Sequence, residues 1–326
     1  HLDTRLFYKH RGLERAAEGR ALDEGLAYAS RACGACAASN GIAYALAVED
    51  ALGLVAPPQL ARARTLLLEL ERLWSHLNDI AAVCSGVGLA AGNARFAALT
   101  ERARRLNAEL TGHRFLFGTV RVGGSDLHVD RVAAHEACEN VERLRAEAES
   151  GWRELLFNRS FQDRLPDIGI VTAETARDLG TVGPAARASG LADDVRAASP
   201  GLAYDDFQPV LPARTAGDVQ VRLEQRMLEL RQTFALLPPL LGGRLAPSAA
   251  TPAGAERAIG VGRVESPRGA TSCIVERAGD RIERLRLRTG SYANWPTVVA
   301  AAADNLLPDF PLINKSFELC YACADR

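Results

Sequence analysis

The residues best suited to chemistry in this chain are two cysteine pairs. Cys33 and Cys36 lie in "RACGACAASN", and Cys320 and Cys323 lie in the terminal "LCYACADR". A Cys-x-x-Cys turn lets two thiolates converge on one metal, and two such turns offer four soft ligands for zinc, an iron–sulfur cluster, or nickel with iron. Zinc ribbons keep their two turns within about 20 residues of each other, whereas nearly the whole chain separates these pairs. If they share a metal, the fold must bring the two ends together. Spacing alone is equally compatible with two unrelated pairs, buried as small apolar residues or redox-active singly.

Other candidates are weaker when taken alone. "VESPRGAT" places Arg268 between a strand and a tight turn, where a fixed guanidinium could overhang a metal site or simply decorate a surface turn. His76 and Asp79 are three apart on a helical stretch, so they share a face and either relay protons, orient a ligand or satisfy each other. Glu14 follows a His–Arg–Gly turn, and its plainest reading is an exposed carboxylate at a helix start. His113, His128 and His135 form no ligand spacing. "GVGRV" and "RVGG" lack the strand–GxGxxG–helix order of a phosphate loop, so no nucleotide site is expected.

Composition narrows the class. The chain has 326 residues, 48% of them hydrophobic, and a formal net charge of −1, which does not suit a nucleic-acid binder. Arginine dominates its cations, with Lys9 and Lys315 the only lysines and Met227 the only methionine; this skew fits a GC-rich bacterial genome. Seven cysteines, an odd number that includes two Cys-x-x-Cys pairs, argue for reduced thiols rather than a disulfide framework. No apolar run approaches the roughly 20 residues a membrane span needs, and no signal peptide is visible. The chain starts at His1 in mid-pattern without a methionine, so removal of an upstream segment is expected.

The elements that must position these residues are mostly helical. "PPQLARARTLLLELERLWSHLNDIAAVC" repeats apolar residues at helical spacing after a proline start, and "NARFAALTERARRLNAEL", "VDRVAAHEACENVERLRAEAES" and "DVQVRLEQRMLELRQTFALL" read as further helices. Residues 157–212 carry Gly, Pro and Asp punctuation and predict short helices with irregular connections. A Pro/Gly-rich break is expected at Pro238–Gly254. Beyond it "AIGVGRVES", "ATSCIVER" and "RIERLRLRT" alternate like strands, with "AGD" as a hairpin turn, before a short helix over "NWPTVVAAAADNLL". The expected fold is mainly α with a small antiparallel β-sheet (α+β). A helical body over 1–237 carries the first cysteine pair and a segment over 238–326 carries the sheet and the second, in one integrated domain.

Taken in order, "RLFYKHRGLE", "RACGAC", "AYALAVEDAL", "ELERLWSHLNDIAAVC", "DIGIVTAETARDLG", "VESPRGA", "SYANWP" and "DFPLINKSFELCYACADR" resemble the large subunit of energy-converting, membrane-associated NiFe hydrogenases, of the formate hydrogenlyase and hydrogenase-4 type. The quinone-site subunit of respiratory complex I is its homologue. The resemblance spans essentially the whole chain and implies a helical bundle like that of either relative. It implies a nickel–iron centre with carbon monoxide and cyanide on the iron, with Cys33 and Cys320 as terminal nickel thiolates and Cys36 and Cys323 bridging. Arg268 matches the family's arginine over the open metal face. Glu14 matches a carboxylate that supports the site from behind the ligands, sometimes at an accessory Mg2+. Arg31 follows the pattern of the first cysteine motif, and His76 and Asp79 match the helix bordering the cavity.

The implied partners are an iron–sulfur small subunit, membrane ion-translocating subunits and, on the complex I side, a quinone. The implied location is peripheral, on the cytoplasmic side of the inner membrane. The chain stops at Arg326, where this branch is cut during maturation, so the sequence is expected to be a mature form or a gene ending there. Three departures stand out. Asn40 occupies a slot that is His in the hydrogenases and Asn in the complex I relatives, and an amide can donate a hydrogen bond but cannot titrate. Glu318–Leu319 replaces Asp-Pro before the second pair, removing a backbone constraint. The hairpin preceding "RLFYKHRG", which carries a glutamate beside the metal or a quinone-contacting His, is absent. The leading expectation is the catalytic subunit of a hydrogenase-like complex; the alternative is a complex I-like NADH:quinone oxidoreductase subunit shaping a quinone cavity without hydrogenase activity.

Overall fold

The computed structural model describes residues 2–199 and 201–326. Seven longer helices organise it: α1 (Ala37–Leu52), α2 (Pro58–Gly86), α3 (Ala90–Thr111), α4 (Arg131–Phe157), α5 (Val219–Gly242), α6 (Gly290–Ala301) and α7 (Phe310–Phe317). A three-stranded sheet, β1 (Ile259–Ser266), β2 (Gly269–Ala278) and β3 (Arg281–Arg288), sits between α5 and α6 in the sequence. All its neighbours are antiparallel, in the order β1–β2–β3. Mainly α with a small antiparallel sheet is the architecture the sequence predicts.

Helix α2 is the axle of the molecule. It begins with Pro58 in its first turn, where the missing amide donor costs nothing. Over its middle it is buried on polar and apolar sides alike, Leu66, Leu70 and Leu77 as completely as Glu69, Arg72 and His76. It packs against α3, α5 and α7, and that enclosure explains why a helix this charged lies in the core. The flanking helices start on side-chain caps: Asp130 accepts from Val132 N and Ala133 N, Asp218 from Val221 N, and Thr289 from Tyr292 N.

Helix α1 is short-chained for a packing reason. Strand β1 lies directly on it, and a Cβ added at Gly262 would stand 2.0 Å from the Ala43 carbonyl oxygen; one at Gly260 would stand 2.0 Å from that of Ala47. Only glycine allows this approach, so the glycines of "AIGVGRVES" serve helix–sheet packing. The β1–β2 hairpin closes through Pro267 and Arg268, because Ser266 pairs with Gly269. The β2–β3 turn passes through Gly279, at φ 64°, as "AGD" predicts.

Several element ends differ from expectation: α6 spans Gly290–Ala301 rather than 294–307, and α4 continues past Ser150 to Phe157. Helix α5 runs to Gly242 with Pro238 and Pro239 inside it, so the break after residue 237 begins later. Two consecutive prolines remove amide donors in the last turn, and the Pro239 carbonyl is taken up by Arg62 Nη1 at 2.9 Å. The stretch from 157 to 212 does break into short helices, including Gly183–Ala188.

The β1–α1 contact yields a test. Gly262→Ala should destabilise the chain by about 2 kcal/mol or more, read as a lower urea midpoint. Gly279→Asn, in an open turn, should stay within about 0.5 kcal/mol of the parent.

Candidate metal centre

The first cysteine loop is held from behind by a carboxylate on α2. Cys36 is the N-cap residue of α1 and offers no side-chain cap. Glu71 supplies one from the neighbouring helix, accepting from Ala38 N at 2.7 Å, from Ser39 N at 3.1 Å and from the Ser39 hydroxyl. The exposed amides of a new helix are thereby satisfied inside the core. Burial, with help from the field of a Cys33 thiolate, pushes the Glu71 carboxyl up to about 7.

The second loop hangs from α5, α6 and the hairpin. Arg226 of α5 donates to the Phe317 carbonyl at 3.0 Å, and Arg222 donates to Ser316 Oγ at 2.9 Å while lying over the Phe317 ring, 4.3 Å from its centroid. Glu318 then turns the chain in the left-handed region, at φ 49°. Its carbonyl accepts from Arg268 Nε at 3.0 Å, and Cys320 N donates to Ser291 Oγ at 3.1 Å. These bonds fix the backbone where Leu319 stands in place of a proline. Tyr321 stacks on Trp295, with ring centroids 4.8 Å apart.

The two ends meet. The Sγ atoms of Cys33, Cys320 and Cys323 all lie within 4.8 Å of one another. Cys36 belongs to the same buried cluster. Cys33, Cys36 and Cys323 are buried and Cys320 only partly so, which makes Cys320 the corner nearest the outside. Donation from Cys320, then Cys323 and Cys36, holds the Cys33 thiol well below its ordinary value. Cys323 is pushed well up, chiefly by its bonds to Cys320, Cys33 and Cys36. The four thiols are thus close enough to bond to one another. A metal ion would replace the thiol protons.

Arg268 lies near this cluster, where Cys36 and Cys33 act on its charge. Its backbone is gripped by glycine contacts and an amide: a Cβ at Gly290 would fall 2.7 Å from the Arg268 carbonyl carbon, and Asn294 Nδ2 donates to the Arg268 oxygen at 3.1 Å. Its Nη2 donates to Asp79 Oδ1 at 2.8 Å. Its Nη1 is buried without a hydrogen-bond partner among the described residues. Burial opposes the guanidinium charge, but the Asp79 carboxylate, the largest of the opposing influences, outweighs it. Asp79 also accepts from Arg226 Nε at 3.0 Å, so one carboxylate ties α2, α5 and the β1–β2 turn. His76 stands behind it, with Nδ1 3.8 Å from Asp79 and Nε2 3.1 Å from Glu229. The face shared by His76 and Asp79 is therefore a buried polar seam.

The remaining candidates are placed apart. Glu14 accepts from Leu287 N at 2.8 Å and from Arg326 Nε at 2.9 Å, anchoring the last residue to the sheet edge. Arg31 is exposed, with its guanidinium 5.9 Å from the Phe117 centroid; its backbone belongs to the cysteine loop and its side chain turns outward. Asn40 is fully buried, and both its amide atoms lack hydrogen-bond partners among the described residues. Sequence reasoning missed Glu71, Arg222, Arg226 and Glu229. The signal was available, since charges recurring inside helices expected to be core require partners there.

The family described as "Nickel-dependent hydrogenase" matches residues 11–79, and "Respiratory-chain NADH dehydrogenase, 49 Kd subunit" matches residues 88–242. Formate hydrogenlyase subunit 5 of Escherichia coli is 33% identical across 99% of this chain. The chain is homologous to these hydrogenase large subunits and to the complex I subunit. It spans 58% of that relative's length and 56% of hydrogenase-4 component G of E. coli, which is 31% identical. The carbon monoxide-induced hydrogenase of Rhodospirillum rubrum is 29% identical over the whole chain and 91% of its own length. A solved archaeal respiratory membrane complex, the membrane-bound sulfane sulfur reductase, contains a chain with TM-score 0.87 and 26% identity, covering 98% of this chain and 89% of that one. The hydrogenase and NADH-quinone oxidoreductase relatives are oxidoreductases, and the solved neighbour comes from a respiratory membrane complex. No described helix of this chain is long and apolar enough to cross a membrane.

Asp79 gives a pH prediction. Burial pushes its carboxyl up, but Arg268, His76 and Arg226 outweigh this and hold it at about 2, below the ordinary 3.8. A depressed value means stabilisation that is full above 3.8 and is lost as pH falls through about 2. Asp79→Asn should cost about 3–5 kcal/mol at neutral pH, because two guanidiniums lose their counter-charge. Urea midpoints measured from pH 6 downward should show the parent converging on the variant at the acid end.

Proposed function

We propose that this chain is the catalytic large subunit of a NiFe hydrogenase-like, membrane-associated redox complex, interconverting H2 with protons and electrons. The observation that carries the reading is the convergence of thiols from both ends of the chain, three of them within 4.8 Å, beside a fixed arginine. The donor set fits the group: soft thiolates suit nickel and iron, and Arg268 Nη1 is a buried donor without a partner among the described residues. Buried polar groups require partners, and an anionic group held at the thiols would be suited to supply one.

In this reading Cys33, Cys36, Cys320 and Cys323 hold the centre, which when bound supplies a site for splitting H2 heterolytically. Arg268, locked by Asp79 and Asn294, holds its positive charge over that site without reorganising. Cys320, the partly exposed thiol, is suited to take and release a proton. Glu71, fully buried and bonded to the first turn after Cys36, holds that loop in a dry surrounding where the local field is strong. Glu14 would serve a Mg2+ ion only by releasing Arg326. Residues 1–237 and 238–326 act as one integrated domain, each giving one cysteine pair. An iron–sulfur small subunit would carry the electrons, and this chain would sit peripherally on the cytoplasmic side of the inner membrane, beside ion-translocating membrane subunits.

A second reading is favoured by Asn40, which stands where the complex I relatives carry the same amide: a subunit shaping a quinone cavity, with the thiols vestigial. A cleft of about 490 Å3 lined by residues such as Leu46, Asp50, Val55, Val261 and Arg263 contains none of the thiols, so it would not bring a quinone to them.

Infrared spectroscopy and metal analysis of the matured complex separate the two. Carbonyl and cyanide bands with nickel and iron are expected, and their absence favours the quinone reading. Cys320→Ser should abolish hydrogen-dependent dye reduction; unchanged activity would contradict the assignment.

A further inference from the structure

One side chain touches both cysteine loops, and nothing above gives it a role. Arg11 donates through Nη1 to the Arg31 carbonyl at 3.1 Å and through Nη2 to the Ala32 carbonyl at 2.5 Å. The same Nη2 donates to the Ala322 carbonyl at 2.8 Å, across a sequence separation of 311. Ala32 immediately precedes Cys33, and Ala322 immediately precedes Cys323. One planar guanidinium therefore grips the peptide next to a cysteine in each loop. The backbone adds a fourth tie, Arg11 N to the Asp325 carbonyl at 2.7 Å.

The local chain is built for this reach. Gly12 sits in the left-handed region, at φ 63°, and reverses the chain between Arg11 and Glu14. Arg11 is thereby directed to the cysteine loops, while Glu14 goes to Leu287 N and Arg326. An arginine is required because its donors lie in one rigid plane and can serve several carbonyls at once, whereas a lysine ammonium is a compact point on a flexible stem.

We propose that Arg11 is a positioning residue that clips the two cysteine loops together so that their thiols face one another. It acts on the thiols only through the peptides beside them. The inference deepens the metal-centre reading and rests on it for its purpose, although the clip itself is a property of the loops and can be tested without metal.

The test uses the full chain, prepared metal-free and reduced, as parent, Arg11→Lys, Arg11→Gln and a control, Arg281→Gln. Arg281 is a comparable exposed arginine bonded to one carbonyl, Gly19, at 2.8 Å. Alkylation with iodoacetamide, followed by mass spectrometry of each cysteine, reads the clip. Cobalt(II) titration, followed by thiolate-to-cobalt charge-transfer absorption, reads the four-thiol geometry. In both Arg11 variants, Cys320 and Cys323 should alkylate about tenfold faster or more while Cys273 and Cys84 keep their parental rates, and cobalt affinity should fall by about tenfold to 100-fold. The control should match the parent in both assays.

Parental alkylation rates at Cys320 and Cys323 in Arg11→Gln would overturn the proposal, as would Arg281→Gln reproducing its effects, which would mark a general loss of stability. A parent that gives no thiolate–cobalt absorption would instead overturn the shared-metal reading, and the alkylation rates would still decide the role of Arg11.

Discussion

Four thiols carried by opposite ends of a long chain can converge only if each loop is anchored to something that does not move. The anchor is α2, and the constraint is met by charge. Glu71 caps the helix that follows the first pair, while Asp79, two turns further along the same helix face, holds Arg268 and Arg226. Those two guanidiniums hold the carbonyls of Glu318 and Phe317, just ahead of the second pair. A single buried helix face thus sets the position of both loops.

This arrangement is costly and explains the molecule's unusual interior. Arg72, Arg187 and Arg196 are fully buried with Glu69, Glu229 and Asp194 around them. Ion pairs of this kind break even at best against hydrophobic packing, and losing one partner is far worse than losing both. Their value lies in rigidity: fixed charges in a dry surrounding keep dipoles aimed without relaxation. Glu229 links the network to the site by accepting from Arg187 Nε at 2.9 Å and meeting His76 at 3.1 Å. The buried charges thus run without a break from Arg187 to His76 on α2.

Much of this was legible in the sequence, for identifiable reasons. Helices α2 to α5 announce themselves by period, and the three strands by alternation and the "AGD" turn. The cysteine pairs, Arg268, His76 and Asp79 were recognisable as an ordered set. Which partners they would find was not, because Glu71 to Ser39 and Arg226 to Phe317 are long-range contacts without a local pattern. The continuation of α5 through Pro238 and Pro239 also escaped, since a tertiary bond from Arg62 overrides a local breaker. Arg11 was hidden for the opposite reason. It lies in a short, irregular stretch where only the folded structure shows that its neighbours are the two ends of the chain.

The central claim is that both ends ligate one centre. X-ray absorption at the nickel edge of the matured protein tests it most directly, because it counts sulfur neighbours. The account predicts about four sulfurs at bonding distance from nickel, with that shell reduced in Cys320→Ser. A nickel shell of nitrogen and oxygen, or a sulfur shell unchanged by that substitution, would contradict it.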